Sequence, residues 1–242
     1  MTTAATRDQA RALDGAAIAL GVPVEMLMAL AGFQCAVLAR RLALEAGGPG
    51  ARVAVVAGRG NNGGDALVCA RHLADWGLPT RVLIPTPLED LGTTAGLAGA
   101  AQGAGAELLA LGDGRDSGAE LALQEARVVV DGLLGTGARG APREPTAAVI
   151  RRVNRSSAVV LAVDLPSGLD ADTGEVLGEC VRAHHTLMLG VAKVGCLSAG
   201  ARHWVGRGWL ADIGIPRDAY SRAGLAVPAW RSPEPWELDP GS

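Results

Sequence analysis

The stretch Val53-Ala-Val-Val-Ala-Gly-Arg-Gly-Asn-Asn-Gly-Gly-Asp65 decides how the rest of the chain is read. Its first five residues are apolar and partly β-branched, the pattern of a strand buried on both faces. Glycines, two adjacent asparagines and an aspartate then break the run. From Ala66 to Trp76 the apolar residues Leu67, Ala70 and Leu73 recur at helical spacing. Strand, glycine-rich turn and helix, in that order, put backbone N–H groups and the positive end of a helix dipole at a strand's carboxyl end. That geometry binds anions, phosphate above all. Glycine is expected there to let a ligand approach the backbone and to supply positive φ.

Working outward, strand patterns recur at Thr80 to Ile84, Ala106 to Leu109, Arg127 to Asp131 and Ala158 to Val163. Shorter ones follow at Thr186 to Leu189, His203 to Val205 and Trp209 to Ile213. Helical patterns separate them at Thr93 to Gly103, Asp113 to Gln124 and Pro142 to Asn154. The alternation predicts right-handed βαβ units and an α/β fold: three-layer α/β/α, Rossmann-like, with a mostly parallel sheet in a single domain. Upstream, Thr6 to Leu20 carries an apolar stripe of Ala10, Leu13, Ala17 and Leu20. A second helix, Val24 to Glu45, is expected to be interrupted near Gly32. Neither shows a reactive cluster, so both are expected to pack on the sheet or on a second subunit. Residues 1–220 read as the domain. Residues 221–242, rich in Pro, Ser and Gly, read as an irregular tail that Trp230 and Trp236 can pin.

With 242 residues, 49% of them hydrophobic, the chain can bury a sizeable core. A net charge of −3 without basic clusters argues against a general nucleic-acid binder. Cys35, Cys69, Cys180 and Cys196 are far apart with no CxxC spacing, so buried free thiols in a reducing compartment are expected. There is no apolar leader, and no segment reaches membrane-spanning length without glycine or charge. A cytoplasmic protein that does not engage a membrane is the expectation. Lys193 is the only lysine in a chain that otherwise uses arginine. Either a compact ammonium is required there or the lysine is a chance survivor; both readings stand.

In an open α/β sheet, ligands bind outside the carboxyl ends of the strands. Three strands end in polar or glycine-rich loops: Gly58 to Asp65, Asp131 to Gly140, and Asp164 to Gly168. A parallel sheet brings all three to one edge. Gly58-x-Gly60-x-x-Gly63 matches the dinucleotide fingerprint, but the second strand ends without an acidic residue to hold a ribose, which disfavours a dehydrogenase. No Walker sequence is present. Ser167 lacks the flanking glycines of a nucleophile elbow, and the histidines, His184 and His185 among them, lack zinc spacing. Asn62, Asp131 and Ser167 offer an amide carbonyl, a carboxylate and a hydroxyl. Those oxygens suit a hard cation, and they equally suit turn and cap residues that bond their own loops.

Together these loops resemble the YjeF N-terminal domain family, the NAD(P)H-hydrate epimerases. The likeness rests on Gly58-Arg-Gly-Asn-Asn-Gly-Gly-Asp65, Asp131-Gly-Leu-Leu-Gly-Thr-Gly137, Asp164-Leu-Pro-Ser-Gly-Leu-Asp170 with Thr173-Gly174, Ala192-Lys193-Val-Gly195 and Asp212-Ile-Gly-Ile-Pro216. The helix with Leu27-Met28 and Ala31-Gly32 is similar to the family's N-terminal segment, and the resemblance covers about residues 5–217. Ala66 departs from it, standing where the family commonly has Gly.

The resemblance implies interconversion of the R and S forms of hydrated NADH or NADPH, a metabolite-repair step feeding a dehydratase. That dehydratase is expected on a separate protein, because this chain is too short to contain it. The resemblance implies a substrate site at Asn61, Asn62, Gly63, Gly64 and Asp65, at Gly135, Thr136, Gly137, Ala138, Arg139, Gly140 and Ala141, and at Asp164. It implies a potassium site of Asn62, Asp131 and Ser167. Lys193 matches a family segment, and a phosphate or loop contact is expected of it. The residues permit acid/base catalysis at the hydroxyl-bearing ring carbon. Asp164 is the first candidate, on the expectation that an apolar setting raises its pKa, and Asp65 the second. A homodimer is also expected. The competing class is a nucleotide-binding or scaffold module of the same fold without turnover.

Overall fold

The computed structural model describes residues 2–111 and 117–238. In chain order it contains β1 (Ala4–Ala5), α1 (Arg7–Ala19), α2 (Val24–Gly47), β2 (Val53–Ala57), α3 (Asn61–Asp75), β3 (Thr80–Ile84), α4 (Ala95–Gly103) and β4 (Glu107–Ala110). Then come α5 (Ser117–Glu125), β5 (Val128–Gly132), α6 (Thr146–Arg155), β6 (Val159–Val163), β7 (His185–Leu189), β8 (Ala192–Lys193) and α7 (Val194–Leu197). The chain closes with α8 (Arg202–Val205), β9 (Arg207–Ala211), α9 (Arg217–Arg222) and β10 (Trp236–Glu237). The start of the expected helix at Asp113 lies outside the described residues.

Eight strands form one sheet in the order β10-β9-β7-β6-β5-β2-β3-β4. All neighbours are parallel except the β10–β9 pair. The alternation of side chains along each strand builds two cores. Val53 and Val55 face the cluster beneath α1 to α4, whereas Ala54 and Val56 face the cluster beneath α5 and α6. This is the expected three-layer α/β/α arrangement. The chain enters this sheet at β2, runs to β3 and β4, then returns to β5 on β2's other side. The strand order therefore reverses at β2/β5, where such sheets open a crevice.

Several local expectations give way. α3 starts at Asn61, so Asn-Asn-Gly-Gly-Asp is its first turn and not the loop before it. Gly60 is its N-cap, with extended backbone. α2 runs unbroken through Gly32. A Cβ on Gly32 would stand 2.4 Å from Val68 Cβ and 2.6 Å from the Asp65 carbonyl oxygen, so this glycine lets α2 cross close over α3. Residues 203–205 lie in helix α8 and not in a strand. Within the described tail residues, β10 adds an antiparallel edge strand to the sheet. Trp230 and Trp236 stack edge to face with centroids 5.3 Å apart, and Trp230 meets Tyr220 at 6.4 Å.

α2 is long and apolar enough to cross a membrane by length and composition, yet 56% of its most apolar window is buried in this fold, where it packs on α3. All four cysteines are buried free thiols.

Candidate functional site

The ends of β2, β5 and β6 lie side by side and border a cleft of about 790 Å³. Its lining includes Asn61, Asn62, Asp65, Gly135, Thr136, Gly137, Ala138, Arg139, Gly140, Ala141, Asp164 and Lys193. The turns that the sequence singled out therefore meet in one place. Gly63 and Gly64 do not line the cleft. A Cβ on Gly63 would fall 1.8 Å from the Gly58 carbonyl oxygen, and one on Gly64 would fall 2.6 Å from Met28 Sδ. Neither they nor Gly58 and Gly60 have positive φ. Glycine is required here for close packing of helix against strand end, and not for left-handed backbone. Ala66 fits for the same reason: its Cβ sits 2.4 Å from where a Gly132 Cβ would be, so Gly132 makes the room.

Asn62, Asp131 and Ser167 are knitted together just behind the cleft. Asp131 is fully buried, and Oδ1 accepts from Ser167 Oγ at 2.7 Å and Leu133 N at 3.2 Å. Its Oδ2 accepts from Ser167 N at 2.9 Å. The Leu134 peptide joins the group, donating to Ser167 Oγ at 2.9 Å while its carbonyl accepts from Asn62 Nδ2 at 3.0 Å. Burial pushes the Asp131 carboxyl up to about 6, against the lowering effect of the bonds from Ser167 and Leu133. Asp131 has no cationic partner among the described residues. Oxygen donors around an uncompensated carboxylate fit a hard cation, which would hold the β5 and β6 loops together.

Asp164 differs from expectation. It follows β6 with φ +67°, a left-handed conformation that Asp tolerates better than most residues. Its surroundings are not simply apolar, because the Lys193 ammonium sits directly on Oδ1, which also accepts from Leu189 N at 3.2 Å. Lys193 Nζ further donates to the carbonyls of Leu189 and Val191, each at 3.0 Å. An ammonium has three N–H groups, and all three are engaged inside the protein, so the contact is to the loop rather than to phosphate.

Asp65, in contrast, has no hydrogen-bond partner among the described residues. Burial holds its carboxyl well above the usual range, the charges of Asp164 and Asp14 push it further, and Lys193 opposes them. Sequence reasoning missed Asp14. α1 turns Arg7, Ala10, Arg11 and Asp14 to the cleft, a helical i, i+3, i+4, i+7 face. Partial desolvation against the cleft wall raises the Asp14 carboxyl although the residue stays exposed to solvent, Lys193 lowers it and Asp164 raises it. The available signal was a polar face beside α1's apolar stripe. What anchors α1 there is nonlocal: β1 pairs with β8, placing Ala5 opposite Lys193, and buried Arg7 bonds Asp170 at 2.8 Å.

The rim is cationic. Arg11, Arg59, Arg139 and Arg143 line it without ion-pair partners among the described residues. His184 and His185 are structural, as expected. His184 Nδ1 accepts from Val160 N and His185 Nδ1 from Trp209 Nε1, both at 3.0 Å.

The chain is 37% identical over 196 residues to an NAD(P)H-hydrate epimerase of Rhodopirellula baltica, covering 81% of this chain and 77% of that one. It is 40% identical over 224 residues to a bifunctional NAD(P)H-hydrate repair enzyme Nnr of Hyperthermus butylicus, covering 92% of this chain but 41% of that one. A similar enzyme of Moorella thermoacetica gives 40% over 168 residues, 69% of this chain and 32% of that one. The chain thus spans well under half the length of these bifunctional relatives. Among solved structures, yeast ynu0, YNL200c, superposes with a TM-score of 0.84 at 25% identity, covering 97% of this chain and 99% of that one. Residues 24–195 match the family described as YjeF-related protein N-terminus, and the chain belongs to that family.

Proposed function

We propose that the chain interconverts the R and S forms of hydrated NADH and NADPH as an NAD(P)H-hydrate epimerase of metabolite repair. The observation that carries this reading is one cleft lined by the α3 N-terminus, by arginines without ion-pair partners among the described residues, and by the carboxyl groups of Asp65 and Asp164. The first two suit a pyrophosphate, and the carboxyl groups suit a reacting ring. The name of the R. baltica relative supports the same reading.

The hydrated ring carries a hydroxyl on the carbon bonded to its nitrogen. The nitrogen lone pair expels that hydroxyl, the planar iminium forms, and water returns to either face; ring opening and closing is the equivalent route. Both need a proton donor at departure and an acceptor at return, worth ~10²–10⁴-fold. Asp65 suits proton transfer better than Asp164, because burial favours its protonated form and no hydrogen bond from the described residues commits it. Asp164, fixed by Lys193 and Leu189, lines the same cleft and balances charge developing on the ring.

A potassium ion at Asn62, Asp131 and Ser167 is part of the proposal. It would neutralise Asp131 and organise the loops. Replacing potassium by sodium is expected to lower activity or nucleotide affinity, and equal values in both salts reject the ion. The product would feed a dehydratase that takes one epimer, a link supported by the bifunctional names of the relatives. A cytoplasmic location rests on the buried free thiols. A homodimer rests on Met26, Leu30 and Phe33, an exposed i, i+4, i+7 stripe on α2 beside exposed Ile18 and Trp76.

The deciding experiment mixes purified protein with one epimer of hydrated NADH. Equilibration faster than in buffer alone is expected. Nucleotide binding without any acceleration would identify a non-catalytic module.

A further inference from the structure

We infer that Asp14 is a second catalytic carboxyl of this cleft, exchanging protons on the face of the bound ring opposite the one served by Asp65. The inference rests on the epimerase reading above and replaces a single carboxyl acting twice with two acting in sequence.

The geometry begins with α1. Its Arg7, Ala10, Arg11, Asp14 face lines the cleft, and α1 itself packs on α9 and β1. Asp65 belongs to α3, which packs on α2, α4 and β2. The two carboxyls therefore enter one cavity from different elements of the fold. Neither has a hydrogen-bond or ion-pair partner among the described residues, whereas Asp164 is committed to Lys193 and Leu189 N. Asp14, Asp65, Asp164 and Lys193 all line this one cleft. Asp14 is exposed to solvent and Asp65 is buried, which gives one proton-transfer group contact with water and encloses the other.

Inversion requires departure from one face of the ring and arrival on the other. A side chain fixed on one face cannot serve both. Asp65 gives its proton to the departing hydroxyl, the carbon–oxygen bond breaks, the nitrogen lone pair forms the C=N bond, and water leaves. On the other face a water oxygen bonds to the same carbon, the C=N π pair returns to nitrogen, and the water's proton passes to the Asp14 carboxylate. Asp65 ends deprotonated and Asp14 protonated, which is the starting state for the reverse reaction. Proton exchange with solvent restores the first state.

The test uses the full chain, a single epimer of hydrated NADH and ¹⁸O-labelled water, following inversion by chromatography and label entry by mass spectrometry above the buffer rate. In the wild type, inversion and label entry are expected together. In Asp14→Asn, inversion is expected to fall by about 100-fold while label still enters the starting epimer with retention, because Asp65 continues to expel and return water on its own face. Asp14→Glu is expected to restore part of the inversion. Inversion at the wild-type rate in Asp14→Asn overturns the inference, and so does an equal loss of inversion and label entry, the mark of a structural role or a single carboxyl. A wild type that does not interconvert the epimers at all overturns the epimerase reading, and this inference with it.

Discussion

Lys193 and Asp164 show how one residue's meaning depends on its partner. As the only lysine, Lys193 stood out by composition, but its role is to saturate three acceptors with three N–H groups. Asp164→Asn keeps the left-handed backbone accessible and removes the charge, leaving a buried ammonium uncompensated. It is expected to lower epimerisation by about 100-fold and stability by about 3 kcal/mol. Adding Lys193→Met is expected to recover part of the melting temperature without the activity; full activity in Asp164→Asn would remove this residue from the mechanism. His185 gives a cleaner handle on pH. Burial first, then the charges of Arg207 and His184, push it from 6.5 down to about 4. The unfolded chain takes up this proton near the unperturbed value and the folded chain only near the lower one. Its contribution is therefore whole above about pH 6.5 and lost as pH falls through about 4. Asp131, shifted upward, works in the opposite direction. In His185→Gln, which keeps an acceptor for the Trp209 indole, urea unfolding between pH 7 and pH 4 is expected to lose up to about 3 kcal/mol of the pH-dependence. Identical profiles would show that His185 does not titrate as described.

At the scale of elements, the first turn of α3 is where reading by pattern and observed geometry part. Two asparagines and two glycines look like a loop, because glycine and asparagine disfavour helix interiors. Packing overrides that propensity. Gly63 presses on the Gly58 backbone carbonyl, where only a residue without a side chain is admitted, whereas Gly64 lies against the flexible Met28 thioether. The two positions should respond differently. Gly63→Ala meets backbone that cannot yield and is expected to cost about 3 kcal/mol or more. Gly64→Ala meets the flexible end of Met28, gains helix propensity, and is expected to stay within about 1 kcal/mol of wild type. Urea midpoints distinguish them, and equal losses would mean that Met28 is as unyielding as the backbone. Residues 203–205 make the complementary point: a short β-prone run became helix α8 because Gly206, at φ +62°, turns the chain into β9.

For the whole molecule, the reversal of strand order at β2 gathers loops far apart in sequence, while β1 pairing with β8 lays α1 across the same opening. The face of α2 away from the sheet exposes Met26, Leu30 and Phe33, an apolar stripe suited to a second copy of the chain. The wild type is expected to sediment as a dimer and the Met26→Glu, Leu30→Glu double variant as a monomer. A monomeric wild type would show that the stripe has another use.

The sequence by itself determined the long buried strands, the parallel sheet and the convergence of three loops, because buried apolar runs and glycine-rich breaks are local signals with fixed periods; the short strands β1, β8 and β10 and the helical residues 203–205 escaped it. It also pointed to those loops as the cleft's border, although Gly63 and Gly64 turned out to pack against their neighbours instead of lining it. Only the tertiary structure decided that Lys193 neutralises Asp164, that Asp65 is the enclosed and uncommitted carboxyl, and that Asp14 joins them. Those facts depend on distances between segments far apart along the chain, from 29 residues for Lys193 and Asp164 upward, set by strand order and helix packing, and no local pattern records them.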